Sequence, residues 1–168
     1  MGYMEGRKGP FRVFRFNIYS TAKIDPKTNL MMTRTSTIGD FVLIACKELR
    51  MGRGSQINAY SALLGRGTIT LGRDVVIGYR CTLMTSVDSA RALKMNDASP
   101  EENREIRTAP ITIKEDAFIG SHCIIMPGVT IGKRSVIGAG CYIDKDVENG
   151  KVVLPKQELR DIPRTAYL

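Results

Sequence analysis

The stretch that decides the fold runs from residue 111 to 147 and reads ITIKEDAFIGSHCIIMPGVTIGKRSVIGAGCYIDKDV. Isoleucine recurs in it every six residues, at positions 113, 119, 125, 131, 137 and 143. A smaller residue stands four places after each one: Ala117, Cys123, Val129, Ser135, Cys141 and Val147. A period of six fits neither the 3.6 of an α-helix nor the alternation of a single strand. It predicts short strands joined by tight corners, with three faces to each coil.

The corners between these strands test the register independently. The third residue after each isoleucine should favour positive φ, where Gly, Asn, Asp and His are enriched. These positions hold Asp116, His122, Gly128, Arg134, Gly140 and Asp146, of which only Arg134 departs from the expectation.

The same spacing of six residues extends upstream of residue 111. Leu71, Ile77 and Leu83 repeat at six residues, and Met51, Ile57 and Leu63 do so before them. Ile38 and Ile44 begin a weaker coil, and we read no hexads in the first 35 residues, where RVFRFNIY alternates like a strand. We therefore predict an all-β parallel solenoid: an N-terminal cap at 1–35, the β-helix at 36–150 and a tail at 151–168.

The period fails between Leu83 and Ile111. Residues 88–110 form a polar, charged insertion, and SPEENREI predicts a short helix from residue 100. Because solenoid insertions tend to cluster on the binding face, we expect a functional loop, with a solvated insertion as the alternative.

Composition excludes several classes of protein. The 168 residues indicate one domain, and the single His122 rules out sites built from several histidines, such as the γ-class carbonic anhydrase centre. No other metal site is predicted. The net charge of +8 does not indicate nucleic-acid binding, since the loop 88–110 carries four basic and five acidic residues and aromatics are few.

Location and thiol chemistry follow from similar counts. No apolar run is long enough for a transmembrane helix and no signal peptide is expected, so the predicted location is cytoplasmic. The four cysteines include no CxxC pair, and the register places Cys81, Cys123 and Cys141 in one column, with Cys46 outside it. We interpret the column as small buried hydrophobes, and a redox or metal ladder is the alternative.

At this point the sequence resembles the hexapeptide-repeat acyltransferases, most specifically in IIMPGVTIG and in SVIGAG followed by KDV. The clear resemblance covers residues 69–147 and is to the sugar O-acetyltransferase branch, which includes maltose, galactoside and capsule or lipopolysaccharide acetyltransferases. It implies a left-handed parallel β-helix and a homotrimer with acetyl-coenzyme A as cosubstrate in a groove between subunits. The implied reaction acetylates a hydroxyl or amine of a sugar or nucleotide-sugar in surface polysaccharide biosynthesis.

One departure from the family bears on mechanism. The catalytic histidine of that branch follows the hexad matching Leu83, where this chain reads LMTSVDSA and has no histidine. Two candidate general bases remain: Asp88 at the mouth of the loop, and His122 on an outward corner, where it could equally be only a tolerated corner residue. N-acylation, or a catalytically impaired trimeric scaffold, therefore stays open beside O-acetylation. For the coenzyme, Gly120, Gly138 and Ala139 allow close approach of a ligand to the backbone. The resemblance implies that Gly138, Ala139 and Lys145 lie near its pantetheine or nucleotide.

Overall fold

The computed structural model describes residues 17–89 and 105–156, and all regular structure in these ranges is β. The chain winds into a parallel β-solenoid of about six turns with three faces, as the period of six predicts. The prediction of an all-β solenoid is therefore confirmed, and the fold matches the left-handed β-helix that the resemblance implies.

We number the three faces in the order in which the chain passes through them, so that Ile113 lies on the first, Ile119 on the second and Ile125 on the third. The second face is a seven-stranded parallel sheet. Its strands are β1 (Asn17–Ile18), β4 (Thr37–Ile38), β6 (Gln56–Ile57), β8 (Val76–Ile77), β13 (Phe118–Ile119), β16 (Val136–Ile137) and β18 (Val152–Val153).

The first and third faces share the long strands β5 (Leu43–Met51) and β7 (Ala62–Leu71), which pass from the third face into the first. The first face also contains β3 (Asn29–Met31), β12 (Ile111–Ile113) and β15 (Thr130–Ile131). The third also contains β2 (Lys23–Ile24), β9 (Thr82–Met84), β14 (Ile124–Ile125) and β17 (Tyr142–Ile143).

The hexad isoleucines stack into the core. Ile119 pairs with Ile77 on one side and Ile137 on the other, and Ile125 lies in the same way between Leu83 and Ile143. Their side chains are almost completely buried. The residues four places later point inward too, and Ser55, Ser61 and Ser135 among the buried ones donate hydrogen bonds to backbone carbonyls. Inward polar groups are therefore satisfied by backbone carbonyls of the same or the next coil.

Most of the corner residues adopt the predicted left-handed conformation. Asp116, His122, Gly128 and Gly140 have positive φ, and so does Arg134 at 55°, although arginine is not among the residue types enriched there. Asp146 is the exception, because it is not among the described residues with positive φ. Its carboxylate instead accepts the backbone N–H of Thr130 at 2.7 Å, so this last corner closes differently.

The solenoid begins earlier than the sequence reading placed it. Ile18, Ile24 and Leu30 stand six residues apart, lie in β1, β2 and β3, and pack against the core. The expectation that the first 35 residues hold no hexads is therefore wrong for this part of the segment. Most of the predicted strand at RVFRFNIY lies outside the described residues. At the other end β18 pairs with β16 and extends the second face.

The insertion leaves the solenoid at the corner between the third and first faces. Its two stems form an antiparallel ribbon of β10 (Ser86–Asp88) and β11 (Ile106–Thr108). Most of the helix expected from residue 100 lies outside the described residues, and Ile106 belongs to a strand. Within residues 17–89 and 105–156 we find no helix able to cross a bilayer.

Candidate functional site

An open cleft of 310 Å³ lies where the β10–β11 ribbon leaves the solenoid. It is lined by Ala45, Gly65, Arg66, Ser86, Val87, Asp88 and Ile106. The cleft therefore combines one cation, one carboxylate and one hydroxyl with an apolar wall. It lies at the stretch where the family resemblance places the histidine that this chain lacks.

The floor of the cleft is shaped by Gly65. This residue has φ of +107°, and a Cβ there would lie 2.6 Å from Ser86 Oγ and 2.7 Å from Thr85 Oγ1. The missing side chain lets both hydroxyls approach the corner. Thr85 is fully buried: its hydroxyl donates to the Leu64 carbonyl at 2.9 Å and accepts from the Gly67 N–H at 3.0 Å. Ser86 is only half-buried, and its Oγ accepts the Arg66 N–H at 3.2 Å.

Asp88 lies two residues further along β10 and is half-buried at the mouth of the loop. Side chains at i and i+2 of a strand point to the same side, so Ser86 and Asp88 share a face of β10. Asp88 thus lies in a concave site beside a hydroxyl, as a general base must if an acceptor is to reach it.

The three faces of the solenoid meet at three corners. His122 lies at a different corner from the cleft, the one between the second and third faces. Its side chain is exposed, its φ is 60° and its N–H donates to the Tyr79 carbonyl at 2.8 Å. Earlier coils place Phe41, Tyr60 and Arg80 at the equivalent left-handed positions, with the two rings stacked at 5.0 Å and the guanidinium 5.5 Å above Tyr60. Within one chain His122 and Asp88 therefore occupy separate corners.

Gly120, which was predicted for coenzyme binding, packs tightly against the next coil, and Gly78 on the coil before it does the same. A Cβ on Gly120 would lie 2.5 Å from the Ala139 nitrogen, and one on Gly78 would lie 2.6 Å from the Ser121 nitrogen. Close approach here is by the backbone of the next coil. Gly138 is half-buried, and a Cβ there would lie 3.1 Å from Leu154 Cδ2 and 3.2 Å from the Val153 carbonyl oxygen. Ala139 is exposed beside the His122 corner.

Lys145 does not join this group. It lies on the corner between the third and first faces, two coils beyond the cleft, because Ile143 stacks over Ile125 and Leu83. Its side chain is exposed, and across residues 17–89 and 105–156 it makes no ion pair. Lys133, by contrast, is neutralised by Glu115. Lys145 is thus a cation available to a phosphate or carboxylate, on the cleft edge of the molecule.

The cysteine column has the predicted arrangement and no ligand character. Cys81, Cys123 and Cys141 are buried on successive coils, and the first two thiols donate to the Gly120 and Gly138 carbonyls at 3.1 Å. The pKa of Cys81 is raised by the hydrogen bond with the Cys123 thiol and by burial. All four cysteines are free thiols, and the described residues contain no cluster of three or more His, Cys, Asp and Glu suited to a metal ion.

Two parts of the cleft were absent from the sequence prediction, namely the Gly65–Arg66 corner and the hydroxyl of Ser86. The signal for the first was the spacing of eight, not six, residues between Leu63 and Leu71. The extra residues form the bulged corner that opens the cleft. Ser86 was visible only as one of the residues standing where the histidine was missing.

The three-faced coil with its period of six defines the molecule as a hexapeptide-repeat parallel β-helix. Residues 110–145 match the family model described as bacterial transferase hexapeptide (six repeats).

Comparison with known proteins extends the similarity beyond the repeat. The chain is 28% identical over 165 residues to a galactoside O-acetyltransferase of Escherichia coli, covering 92% of this chain and 78% of that protein. It is 27% identical to the galactoside O-acetyltransferase of Lactococcus lactis, covering 82% and 68%.

Solved structures show the same fold. A hexapeptide-repeat acetyltransferase of Vibrio cholerae, complexed with acetyl coenzyme A, superposes with a TM-score of 0.51 at 26% identity, over 83% of this chain and 66% of that one. AntD, an N-acyltransferase from Bacillus cereus complexed with dTDP and 3-hydroxybutyryl-CoA, superposes with a TM-score of 0.62 at 20% identity, over 90% and 85%.

Proposed function

We propose that this protein is an acetyl-coenzyme A-dependent acetyltransferase that acts on a hydroxyl or amine of a sugar or nucleotide-sugar. The observation that carries the proposal is the similarity to galactoside O-acetyltransferases along 92% of the chain, on a fold shared with an acetyl-coenzyme A complex. The cleft at Ser86–Asp88 supports it, because a concave polar site lies where the family resemblance places catalysis.

Acetyl transfer needs a base for the acceptor and donors for the oxyanion that develops on the thioester carbonyl. In the proposal Asp88 is the general base, since it lines the cleft beside a hydroxyl. His122 is the second candidate and would act from the corner of a neighbouring chain. A homotrimer is part of the proposal, because in one chain the two corners face different directions.

The coenzyme side of the groove is assigned to the His122 corner. Gly120 and Gly138 keep this corner flat, and the exposed Ala139 leaves room for a ligand against the backbone. The pyrophosphate of the coenzyme needs cations, and in the proposed trimer the exposed Lys145, which lies on the cleft edge, would offer its charge from the neighbouring chain. These residues fit the polar and extended character of the coenzyme.

The proposed acceptor pathway is surface polysaccharide biosynthesis, and the proposed location is the cytoplasm. The free thiols of all four cysteines are consistent with a reducing compartment. A nitrogen acceptor is part of the proposal as well as oxygen, because an amine needs less help from a base than a hydroxyl.

Isothermal titration with acetyl-coenzyme A tests the proposal directly. We expect saturable binding, followed by thiol release when a galactoside or an amino sugar is added. Absence of binding at millimolar coenzyme would overturn the enzyme assignment and leave the second candidate, a trimeric scaffold that has lost catalysis. The missing histidine in LMTSVDSA is the specific observation that favours this second candidate.

The choice of base is tested by two single variants. Asp88→Asn should retain coenzyme binding and lose turnover about 100-fold or more. Unchanged turnover in His122→Ala would exclude His122 as the base, whereas a comparable loss there with an active Asp88→Asn would move the role to His122.

A further inference from the structure

The hydroxyl of Ser86 is held in an unusual way at the floor of the cleft. Its Oγ accepts a hydrogen bond from the backbone N–H of Arg66 at 3.2 Å, so one lone pair is fixed against the solenoid. Within residues 17–89 and 105–156 no protein group accepts the proton of this hydroxyl. An anchored oxygen with an unassigned proton is a hydrogen-bond donor directed at whatever occupies the cleft.

The surrounding corner is built to admit this oxygen. A Cβ on Gly65 would lie 2.6 Å from Ser86 Oγ and 2.7 Å from the Ser86 nitrogen, so only glycine permits the approach. The neighbouring hydroxyl of Thr85 both donates and accepts within the protein and is fully buried. Of the two adjacent hydroxyls, one is therefore committed to the fold and the other is available to a ligand.

The distance from Ser86 to the candidate base suits acyl transfer. Two residues of strand separate Ser86 from Asp88, which places their Cα atoms about 6.6 Å apart on one face of β10. Two side chains that start at this spacing on one face can lie on either side of a tetrahedral centre that makes hydrogen bonds of about 2.8 Å to a base and to a donor.

We propose that the Ser86 hydroxyl donates a hydrogen bond to the oxyanion formed during acetyl transfer, while Asp88 receives the proton of the acceptor. This inference rests on the proposed acetyltransferase function and adds a catalytic residue to it. The cleft at the ribbon is then the place where the thioester carbonyl and the acceptor meet.

The chemical step balances without any further reagent. The acceptor O–H or N–H bond breaks as Asp88 takes the proton, and the acceptor atom forms a bond to the thioester carbon. The carbonyl electron pair moves onto oxygen, where Ser86 donates its hydrogen bond. When that pair returns, the C–S bond breaks, and the thiolate leaves and takes the proton from Asp88. The products are the acetylated acceptor and free coenzyme A.

The test is a Ser86→Ala variant assayed with acetyl-coenzyme A and either methyl β-galactoside or glucosamine, with thiol release as the readout. Loss of one oxyanion donor lowers turnover about 100- to 1000-fold, so we expect kcat to fall in this range while the KM for acetyl-coenzyme A stays within about twofold. The Arg66 N–H left without its partner lies at an exposed residue, where water can replace the hydroxyl, so the variant should fold.

Thr35→Ala is the matched control. Its hydroxyl accepts the Gly54 N–H at 2.9 Å on the corner between the first and second faces, away from the cleft. This variant removes the same kind of corner hydrogen bond, and its kcat should match that of the wild type. An equal loss of kcat in both variants would assign the Ser86 effect to the fold and overturn the inference.

Two further outcomes separate the inference from the proposed function. An active wild type with an equally active Ser86→Ala overturns the donor role and leaves the acetyltransferase assignment standing. A wild type that binds acetyl-coenzyme A but releases no thiol to any acceptor or to water overturns both. Mass spectrometry of the enzyme during turnover supplies the last check, since an acetyl group on Ser86 would make it a nucleophile and not a donor.

Discussion

Glycine serves two physically different purposes in this solenoid, and the difference is decided at single residues. Gly120 lies under the next coil, where a Cβ would be 2.5 Å from the Ala139 nitrogen. Gly140 has φ of +77° and open space around its missing side chain. Substitution of the first creates a clash with backbone, and substitution of the second creates only torsional strain.

This distinction predicts that substitution of Gly120 lowers the free energy of unfolding more than substitution of Gly140. Gly120→Ala should lower the free energy of unfolding by about 3 kcal/mol, at the upper end of overpacking costs, because the backbone it meets cannot move aside as a side chain would. Gly140→Ala should cost about 1 kcal/mol, the price of a left-handed alanine. Urea unfolding followed by circular dichroism measures both. Equal losses would contradict the assignment of Gly120 to coil packing.

Buried thiols add a dependence of stability on pH. Burial raises the pKa of Cys46 from 9.0 to about 11, and burial raises the pKa of Cys141 as well. A raised thiol pKa means that the folded state holds the proton more tightly than the unfolded state. The associated stability is complete below pH 9 and is lost as the pH rises toward 11.

The Cys46→Ala variant isolates this contribution. Between pH 9 and 11 the wild type should lose up to about 3 kcal/mol more unfolding free energy than Cys46→Ala, because the variant has no thiolate to form at that site. The slopes of stability against pH should coincide below pH 8. Parallel slopes up to pH 11 would show that the Cys46 thiol ionises equally in both states.

At the scale of the strand, the buried hexad side chains stabilise the solenoid, and the ion pairs at its corners contribute little. Most strands have two or three residues, and each contributes one buried hexad side chain such as Ile131. The corner between the first and second faces carries an ion pair of the exposed Lys133 with the half-buried Glu115. Arg134 Nε lies 3.9 Å from Asp116 Oδ2 at the same corner. Exposed ion pairs of this kind contribute little and weaken with salt.

Two variants one turn apart compare these contributions. Ile131→Ala leaves a cavity between coils and should cost about 3 to 4 kcal/mol. Glu115→Gln should change stability by a small fraction of that loss, and the change should vanish in high salt because the pair is solvated. Thermal unfolding at low and high salt measures both effects. A salt-independent loss in Glu115→Gln would contradict the view that the corner charges are solvated.

The elements predictable from sequence are those in which one side chain carries the whole signal. The isoleucine spacing predicted the strands from Ile113 to Ile143 and their stacking, because an inward side chain every six residues is what the coil demands. The earliest coil was missed although Ile18, Ile24 and Leu30 keep the same spacing. Its inward positions are only partly buried at the end of the solenoid, so the residues around them are polar and conceal the pattern.

The cleft was only partly predictable for a related reason. Asp88 was identified as a carboxylate at the mouth of the loop, whereas Ser86 gained its meaning only from Gly65 and Arg66, a coil earlier in the chain. Contacts across coils depend on which residues the bulge between Leu63 and Leu71 brings into register. Sequence spacing shows that the bulge exists but not where its carbonyls and N–H groups point.

In the whole molecule, the candidate residues occupy two different corners of the three-faced solenoid. Asp88 and Ser86 lie at the corner between the third and first faces, and His122 and Ala139 lie at the corner between the second and third. Both corners contribute to one reaction only if chains associate so that the Asp88 corner of one chain faces the His122 corner of another. A cyclic trimer repeats that contact three times and closes.

Complementation between two inactive variants tests this arrangement. Asp88→Asn removes the proposed base, and Ala139→Trp places a large side chain where the coenzyme is expected without disturbing the core, because Ala139 is exposed. Each variant alone should be inactive. After joint refolding in equal amounts, random assortment makes about one quarter of the sites intact, so about one quarter of wild-type activity should return. If the mixture stays inactive while sedimentation shows mixed trimers, both corners must act within one chain, and the inter-subunit site is wrong.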